Sequence, residues 1–262
     1  MTLQEIDQLF AQTLMGEYED EQPWEAVNIL RQIGNRDVLQ HAAEWCRSGE
    51  QLKRARGAAI LGQLGKTAVH PSNTFPQESF IAVSQLLQLE KEVMPLSSAI
   101  SALGHLDDPR AVPLIIHHFQ NSAQDVRFAV ACALGSFPNH PLAVQTLLIL
   151  TRDPDEDVRN WAVFGLGNLG DADSTEIRDA LFARLNDINE EVREEALFGL
   201  AKRKDTRVLP ALIAALDESG FNNPGLAELT IEAADAMLEL ESERTNWSGA
   251  DYIAALSERF RL

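Results

Sequence analysis

Residues 153–170 read DPDEDVRNWAVFGLGNLG, and blurred copies of this stretch recur along most of the chain. Aligned on the Leu-Gly step near its centre, the copies fall at Leu30, Leu61, Leu103, Leu134, Leu166, Leu200 and Met237. Successive copies therefore lie between 31 and 42 residues apart. A repeat of this length is typical of supersecondary units that stack in one direction, each packing only against its neighbours.

Each copy predicts a helix with a defined start. Asp153 is expected to cap the helix, with Pro154 in the first helical position and Glu156 in the third, which together form a capping box. The pairs Asp187 with Glu190 and Asn121 with Gln124 repeat this spacing. Three start signals in one register indicate the same helix in three successive repeats.

One face of this helix is apolar. Val158, Ala162, Leu166 and Leu169 recur at helical spacing, so we expect all four in the core. A second set of positions carries only small residues: Gly165, Ala133 and Gly199. The missing side chain at these positions lets a neighbouring helix approach.

A preceding helix completes each repeat. Its predicted start signals are Asn35, Asp108 and Asp205, and Pro113 and Pro210 follow within the same segments. We expect these prolines to bend the helix, because proline removes one hydrogen bond of the ladder. No stretch alternates polar and apolar residues with a period of two. We therefore predict an all-α fold, an α-solenoid of about seven helix pairs.

The two ends differ from the middle of the chain, as terminal repeats do when one face has no neighbour. We predict an N-terminal capping helix and acidic break at residues 1–22, a repeat array at 23–241 and a C-terminal capping helix at 242–262. A segment rich in Gly, Pro, Ser and Asn interrupts the array at 65–76 and indicates an inserted loop.

Charge and composition narrow the classes of function. The formal net charge is −18, and the clustered Lys and Arg that nucleic-acid binding requires are lacking. A charge of this sign favours attraction to basic partners. Two cysteines are too few for a disulfide framework and fit a reducing compartment. With no signal-peptide pattern and no apolar run long enough to span a membrane, we expect a cytoplasmic protein without membrane contact.

Three motifs suggest chemistry but fail on their context or spacing. Residues 165–170 match GxGxxG, yet they end a helix, whereas dinucleotide binding requires a strand before them and a helix after them. Asp153, Asp155 and Asp157 match a calcium loop, but Val158 and Phe164 stand where glycine and glutamate are needed. The histidines and cysteines show no zinc spacing. We therefore predict no catalytic residue, no metal and no cofactor.

The pattern Asp-Pro-x-x-x-Val-Arg-x-x-Ala-x-x-x-Leu-Gly-x-Leu resembles the HEAT-like repeats of the short bacterial type first associated with phycobilisome lyase subunits. The resemblance covers roughly residues 20–240 and is strongest at 108–216. Three units depart from it, at Pro23-Trp24, Pro95-Leu96 and Leu229-Thr230. The resemblance implies a right-handed superhelix whose second helices line a concave surface. It also implies that Arg54, Arg127, Arg159 and Arg193 form an internal polar ladder.

Residues of the second helices that point away from the predicted core form one row per repeat. Aromatic side chains gather in the middle rows and carboxylates at one end, which is typical of a protein-binding surface. The predicted partner-binding residues are Phe128, Asn160, Trp161, Phe164, Asn168, Glu194, Glu195, Phe198, Glu232 and Asp235. The alternative is that Trp161 and Phe164 cover the joint with an adjacent second helix.

From this surface we predict a non-catalytic scaffold or adaptor that is a monomer when free and binds a basic or mixed-charge protein in its groove. Neutralising a basic toxin is one form of that role. The alternative, implied by the resemblance, is a subunit of a bilin lyase or a chromophore chaperone, with His105, Trp161 and Arg56 as candidate groove residues. DNA binding is disfavoured, because only Arg56 and Lys202 offset the acidic residues of the groove.

Overall fold

The computed structural model describes residues 2–18, 20–217, 224–240 and 247–261, with side chains from residue 228 onward in the third range. Every regular element within these ranges is helical, which confirms the predicted all-α fold. The α-helices are α1 (Leu3–Gln12), α2 (Glu21–Ile33), α3 (Arg36–Trp45), α4 (Gln51–Gly62), α5 (Pro76–Leu89), α6 (Val93–Leu106), α7 (Val112–Ile115), α8 (Gln124–Gly135), α9 (Pro141–Leu150), α10 (Glu156–Phe164), α11 (Thr175–Arg184), α12 (Glu190–Lys202), α13 (Leu209–Asp217), α14 (Pro224–Leu238) and α15 (Gly249–Phe260). Short 3-10 helices lie at Pro109–Ala111, Ile116–His118 and Thr206–Val208, and a π-helix lies at Gly165–Leu169.

The helices pack in consecutive pairs within two compact units, residues 1–137 and 138–262. In the first unit the pairs are α1/α2, α3/α4, α5/α6 and α7/α8, and the second helices α2, α4, α6 and α8 contact one another in that order. In the second unit the pairs are α9/α10, α11/α12 and α13/α14, the second helices again follow in order, and α15 packs on the last pair. The predicted solenoid of helix pairs is thus confirmed in each unit.

Small residues set the spacing between successive second helices. A Cβ atom placed on Gly104 of α6 would lie 2.8 Å from the Cα atom of Ala133 in α8. A Cβ atom on Gly199 of α12 would lie 2.7 Å from the Cα atom of Gly167 in the π-helix. Close contact in the second unit therefore runs through Gly167. The repeat alignment predicted Gly165 at this position, which is wrong.

Three predicted helix starts are two residues too early. The helices begin at Glu156, Glu190 and Gln124, with Asp155, Asn189 and Ala123 as N-caps. The side chains of Asp153, Asp187 and Asn121 instead accept hydrogen bonds from the backbone amides of those N-cap residues, at 3.0, 3.1 and 2.9 Å. An acceptor two residues before the cap stabilises the turn that leads into the helix, and sequence spacing alone does not separate this role from capping.

The predicted starts of the first helices are confirmed, but the prolines act differently. Asn35, Asp108 and Asp205 each accept a hydrogen bond from a backbone amide two or three residues later. Pro113 and Pro210 each occupy the second position of an α-helix that follows a 3-10 turn. A proline is tolerated there, because amides of the first turn have no partner within the helix. The expected bend is therefore replaced by a change of helix type.

Four arginines hold the turns between paired helices. Nη1 of each donates to the carbonyl oxygens of the residues six and five positions before it, at 3.0 to 3.3 Å. These residues are Arg54, Arg127, Arg159 and Arg193. Arg159 also pairs with Asp187 of the next repeat through two hydrogen bonds of 2.9 and 2.8 Å, and Arg54 pairs with Glu90 at 2.6 and 3.1 Å. All four arginines therefore bind the backbone of a turn, and Arg54 and Arg159 also link one repeat to the next, as the predicted polar ladder requires.

The expectation that Leu169 lies in the core is wrong. The π-helix closes with a hydrogen bond of 3.1 Å from the Gly170 amide to the Gly165 carbonyl oxygen, and the extra residue in this turn leaves Leu169 43% exposed. The buried Arg203, which the sequence did not single out, binds the surrounding carbonyl groups. Its guanidinium donates at 2.6 to 3.1 Å to the carbonyl oxygens of Leu166, Gly167, Gly170, Ala172 and Gly199.

A capping box begins the helix at each end of the chain. Ile6 and Phe10 of α1 and Tyr252 and Leu256 of α15 are buried, so both helices cover apolar surface of the neighbouring pair. The boundary predicted between the array and its C-terminal cap, at residues 241 and 242, lies outside the described residues.

We expect Gly104→Ala to lower the free energy of unfolding, measured by urea denaturation, by about 1–3 kcal/mol. The added methyl group meets the backbone of α8, and this cost exceeds the gain in helix propensity of about 1 kcal/mol. Gly49→Ala is the matched control, since nothing lies within 4 Å of its added Cβ atom. A Gly104→Ala protein as stable as Gly49→Ala would contradict the close-approach argument.

We expect Asp187→Asn to lower the free energy of unfolding by about 3 kcal/mol at pH 7, because it leaves the Arg159 guanidinium buried without its counter-charge. The Asp187 carboxylate is 3% exposed. Asp179→Asn is the control, because it breaks a pair with Arg207 whose side chains are 58% and 40% exposed, and it should cost at most about 1 kcal/mol.

The effect of Asp187→Asn should depend on pH in one direction. Burial by itself raises the pKa of the Asp187 carboxyl, but hydrogen bonds from Arg159 and from the Asn189 amide lower it overall. The wild-type advantage is therefore present above the ordinary carboxyl pKa and is lost as the pH falls through the lowered one. Equal losses in both variants at every pH would show that the buried pair has no special weight.

Candidate partner-binding surfaces

The exposed side of α10, α12 and α14 in the second unit carries most of the predicted partner-binding residues. We call it the acidic face; its residues are Asn160, Trp161, Phe164, Asn168, Glu191, Glu194, Glu195, Phe198 and Glu232. Trp161 is 37% exposed and meets the half-buried Phe164 edge-on, with ring centroids 5.5 Å apart. Phe198 packs against the core of the second unit. The aromatic residues thus divide between surface and packing.

Two asparagines link α10 and the π-helix to α12 across this face. Asn160 Nδ2 donates to Glu191 Oε2 at 3.0 Å, and Asn168 Nδ2 donates to the Glu195 carboxylate. Lys202 is not available to offset the carboxylates of the acidic face. Its Nζ donates to the Asn168 carbonyl oxygen at 2.9 Å and pairs with Asp171 at 2.9 Å. The amides therefore position the carboxylates in one row.

The carboxylates of α12 are crowded. Burial, and then the neighbouring Glu190, raise the pKa of Glu194 to about 7. Burial, and then Glu191, raise the pKa of Glu195 to about 7 as well, against the lowering effect of Asn168. Within the described ranges, Glu194 Oε2 is buried and has no hydrogen-bond partner. A cation placed on this row would stabilise the ionised form of both carboxyl groups, which burial and crowding disfavour.

The last two predicted residues differ in accessibility. Glu232 of α14 is exposed. Asp235 accepts a hydrogen bond of 2.9 Å from the Tyr252 hydroxyl of α15, so it helps to hold the closing helix. Of the two, Glu232 is the more exposed.

Phe128 belongs to the first unit, where it lines a cavity of about 690 Å³ on the side of the second helices. We call this cavity the trough. It is lined by Tyr18, Trp24, Arg31, Gln51, Ala59, Glu92, Val93, Met94, Ser97, Ser98, Ser101, Ala102, His105, Asp125, Phe128 and Ala129. Of the ten predicted partner-binding residues only Phe128 lines this cavity, and the sequence did not single out the space that its lining residues enclose. The sequence signal that could have predicted this cavity is the run of small residues on α6, which leaves space between the aromatic residues on either side.

A buried arginine holds the aromatic wall of the trough. Arg56 is 0% exposed, and its Cζ atom lies 4.5 Å from the ring centroids of both Tyr18 and Trp24. It donates to the carbonyl oxygens of Thr13 at 3.0 Å and Tyr18 at 2.9 Å. The Tyr18 hydroxyl in turn lies 2.9 Å from Ser98 Oγ. Arg56 is therefore a structural residue, and its prediction as a groove residue for a chromophore is wrong.

The other cations of the trough lie toward one end. Burial, with a smaller contribution from the nearby Arg56, lowers the pKa of Arg31 to about 10, against the raising effect of Tyr18. Burial also lowers the pKa of His105, with smaller contributions from Arg31 and Lys66, so this imidazole is neutral at pH 7. Lys66 Nζ donates to the His105 carbonyl oxygen. Arg31 is thus the charged group of the trough wall at this end.

Reactive side chains are not grouped in the part of the chain that the structure describes. In those ranges no three His, Cys, Asp or Glu side chains come together as metal ligands would. Burial raises the pKa values of Cys46 and Cys132 to about 12, so both thiols are protonated at neutral pH. None of the described helices combines the length and the apolar character needed to cross a membrane.

Comparison with known proteins places the chain among repeat proteins. Protein YibA of Escherichia coli K12 is 34% identical over 200 residues, which cover 74% of this chain and 69% of YibA. The X-ray structure of E. coli YibA aligns over 99% of this chain and 96% of its own, at 24% identity and a TM-score of 0.71. An archaeal HEAT-like repeats protein from Thermococcus onnurineus aligns over 90% of this chain and 97% of its own, at 16% identity and a TM-score of 0.55.

The complex of CpcE and CpcF of phycocyanin lyase from Nostoc is less similar. The matched chain of that complex aligns over 92% of this chain and 84% of its own length, at 19% identity and a TM-score of 0.45. A family model for HEAT repeats matches residues 84–167 and 144–222. From this match and the identity to YibA, we conclude that the chain belongs to the HEAT-repeat family.

Proposed function

We propose that this protein is a non-catalytic interaction scaffold that binds a basic or mixed-charge segment of a partner protein on the acidic face. The HEAT-repeat fold is of a kind suited to scaffolds, because stacked helices present extended surfaces. The observation that carries the proposal is the row of crowded carboxylates on α12 beside Trp161. A partly exposed tryptophan beside crowded carboxyl groups is unfavourable for the free protein and suits a cationic, apolar partner.

The two components of the acidic face contribute differently to binding. Tryptophan is among the residues that most often dominate the binding energy of an interface, since it buries a large rigid area. The carboxylates contribute charge complementarity, and the net charge of −18 accelerates the approach of a basic partner at low salt. Asn160 and Asn168 keep the carboxylates in place before the partner arrives.

A basic toxin neutralised by binding would have the required chemistry, and we retain it as one partner of this class. The chromophore-lyase alternative rests on the sequence resemblance alone, because Arg56, one of its three candidate residues, is buried. A cytoplasmic location and a monomeric free state remain predictions.

The proposal is tested by the affinity of the full chain for a fluorescein-labelled peptide that alternates Lys and Leu. We expect Trp161→Ala to weaken binding by at least tenfold, because a central aromatic contact is lost. Ile188→Ala is the control, since Ile188 is 88% exposed in the same unit but lies outside the acidic face. The proposal fails if both variants bind the peptide as the wild type does.

The acidic face also predicts opposite pH dependences for stability and for binding. The folded-state pKa values of Glu194 and Glu195, about 7, lie above the ordinary value of about 4.3. The folded state therefore holds extra protons between these values, and its stability falls as the pH rises from about 4.5 to 7. Binding of the basic peptide should strengthen over pH 6 to 8, as the two carboxylates ionise.

The double variant Glu194→Gln, Glu195→Gln should remove most of both trends, as measured by thermal unfolding and by peptide affinity across this pH range. Glu232→Gln, which changes an exposed carboxylate of α14, should keep the wild-type pH profile. Retention of both trends in the double variant would assign them to other groups and contradict the proposed role of this row.

A further inference from the structure

The second helices of the first unit run parallel and in register. Arg31 near the end of α2 donates to the Ala59 carbonyl oxygen near the end of α4 at 3.1 Å. A Cβ atom on Gly62 at the end of α4 would lie 2.8 Å from the Cα atom of Ala102 in α6. Gly104 meets Ala133 of α8 in the same way. The ends of these helices therefore define two ends of the trough.

The two ends of the trough differ in charge. The charged Arg31 and the neutral His105 line the end formed by the last turns of α2 and α6, whereas Glu92 and Asp125 line the end where α6 and α8 begin. Glu92 and His105 are 13 positions apart in the chain, which is about 20 Å along an α-helix. An occupant that satisfies both ends must be elongated and must carry opposite charges at its two ends.

The contacts of the Arg31 guanidinium hold it in a position suited to binding an anion. Its Nε and Nη1 donate at 3.1 Å to the Ala59 carbonyl oxygen and to Asn28 Oδ1, and its Cζ atom lies 5.6 Å from the Trp24 ring. Among the described residues no carboxylate lies within ion-pair distance of it and its Nη2 has no partner, although the chain carries 40 Asp and Glu. A guanidinium held in a fixed plane, with hydrogen-bonding capacity left over, suits a carboxylate ligand.

The middle of the trough is apolar, with one polar group available. Trp24 and Met94 line it together with Phe128, so an apolar side chain can be buried there. Ser97 Oγ is buried and has no hydrogen-bond partner within the described ranges. A hydroxyl in this position can bond the backbone of an extended ligand.

We propose that the trough binds an extended peptide segment of a partner protein. The carboxylate of the segment pairs with Arg31, an apolar side chain lies between Trp24 and Phe128, and a basic group meets Glu92 and Asp125. This inference rests on the protein being an interaction scaffold but not on the acidic face. The trough is a second site, and it selects for an acidic group that the acidic face would repel.

The test begins with phage-displayed random seven-residue peptides selected on the full chain. We expect enriched peptides to contain an acidic residue, an apolar or aromatic residue and a basic residue in that spatial order. The best peptide is then synthesised with a fluorescent label, and its affinity is measured for the wild type and for Arg31→Gln. We expect at least a tenfold weakening by Arg31→Gln, whereas Arg36→Gln, which changes an arginine whose side chain is 57% exposed on α3, should have no effect.

Two further measurements keep the result clear if Arg31→Gln disturbs folding. Ser101→Phe fills the trough and leaves the hydrogen bonds of Arg31 intact, so it should also weaken binding at least tenfold. Replacing the acid of the peptide by its amide should weaken binding to the wild type but not further to Arg31→Gln. Enriched peptides without an acid, or unchanged affinity in both variants, would overturn the proposal. Basic peptides that depend on Trp161 and Glu195 instead would also overturn it, while supporting the acidic face.

Discussion

The fold depends on arginine side chains that bind the backbone of the turns between helices. Each of Arg54, Arg127, Arg159 and Arg193 satisfies two carbonyl groups that a helical turn leaves open. Where a carboxylate of the next repeat joins, as Asp187 joins Arg159, the same side chain also fixes one repeat against its neighbour. These contacts fix the turns from which the second helices begin, and toward the other ends of those helices the small residues approach one another closely.

Arg203 extends this rule to a place where the helix itself is irregular. Within the π-helix at Gly165–Leu169, the carbonyl oxygens of Leu166 and Gly167 accept hydrogen bonds from the Arg203 guanidinium, which also binds the Gly170 carbonyl oxygen directly after it. Because these buried carbonyl groups have hydrogen-bond partners, as those of a regular helix do, the irregular turn is stable. Its cost is local: Leu169 leaves the core, and Gly167 takes the position of closest approach to α12.

The sequence was sufficient for the architecture but not for the details of the site. Periodicity and repeat spacing predicted the helix pairs, since they reflect burial, which the pattern of apolar residues records directly. They placed Asp153 and Leu169 wrongly, because a turn residue and a cap share one spacing and a π turn changes the register without an obvious signal. The trough escaped prediction because a cavity is defined by what small residues such as Ser97 and Ser101 leave empty, and it needs the positions of four helices at once.

The contacts of Arg56 change the meaning of the segment before the repeats. Residues 1–22 look like a cap that could be trimmed, yet the carbonyl groups of Thr13 and Tyr18 hold the buried guanidinium, and Tyr18 itself forms part of the trough wall. A shortened chain beginning at residue 23 would lose α1, the first helix of the first pair, and with Tyr18 it would lose one side of this cavity. In a repeat protein, then, the number of repeats does not by itself define a cavity, because a segment outside the predicted array can form part of the cavity wall.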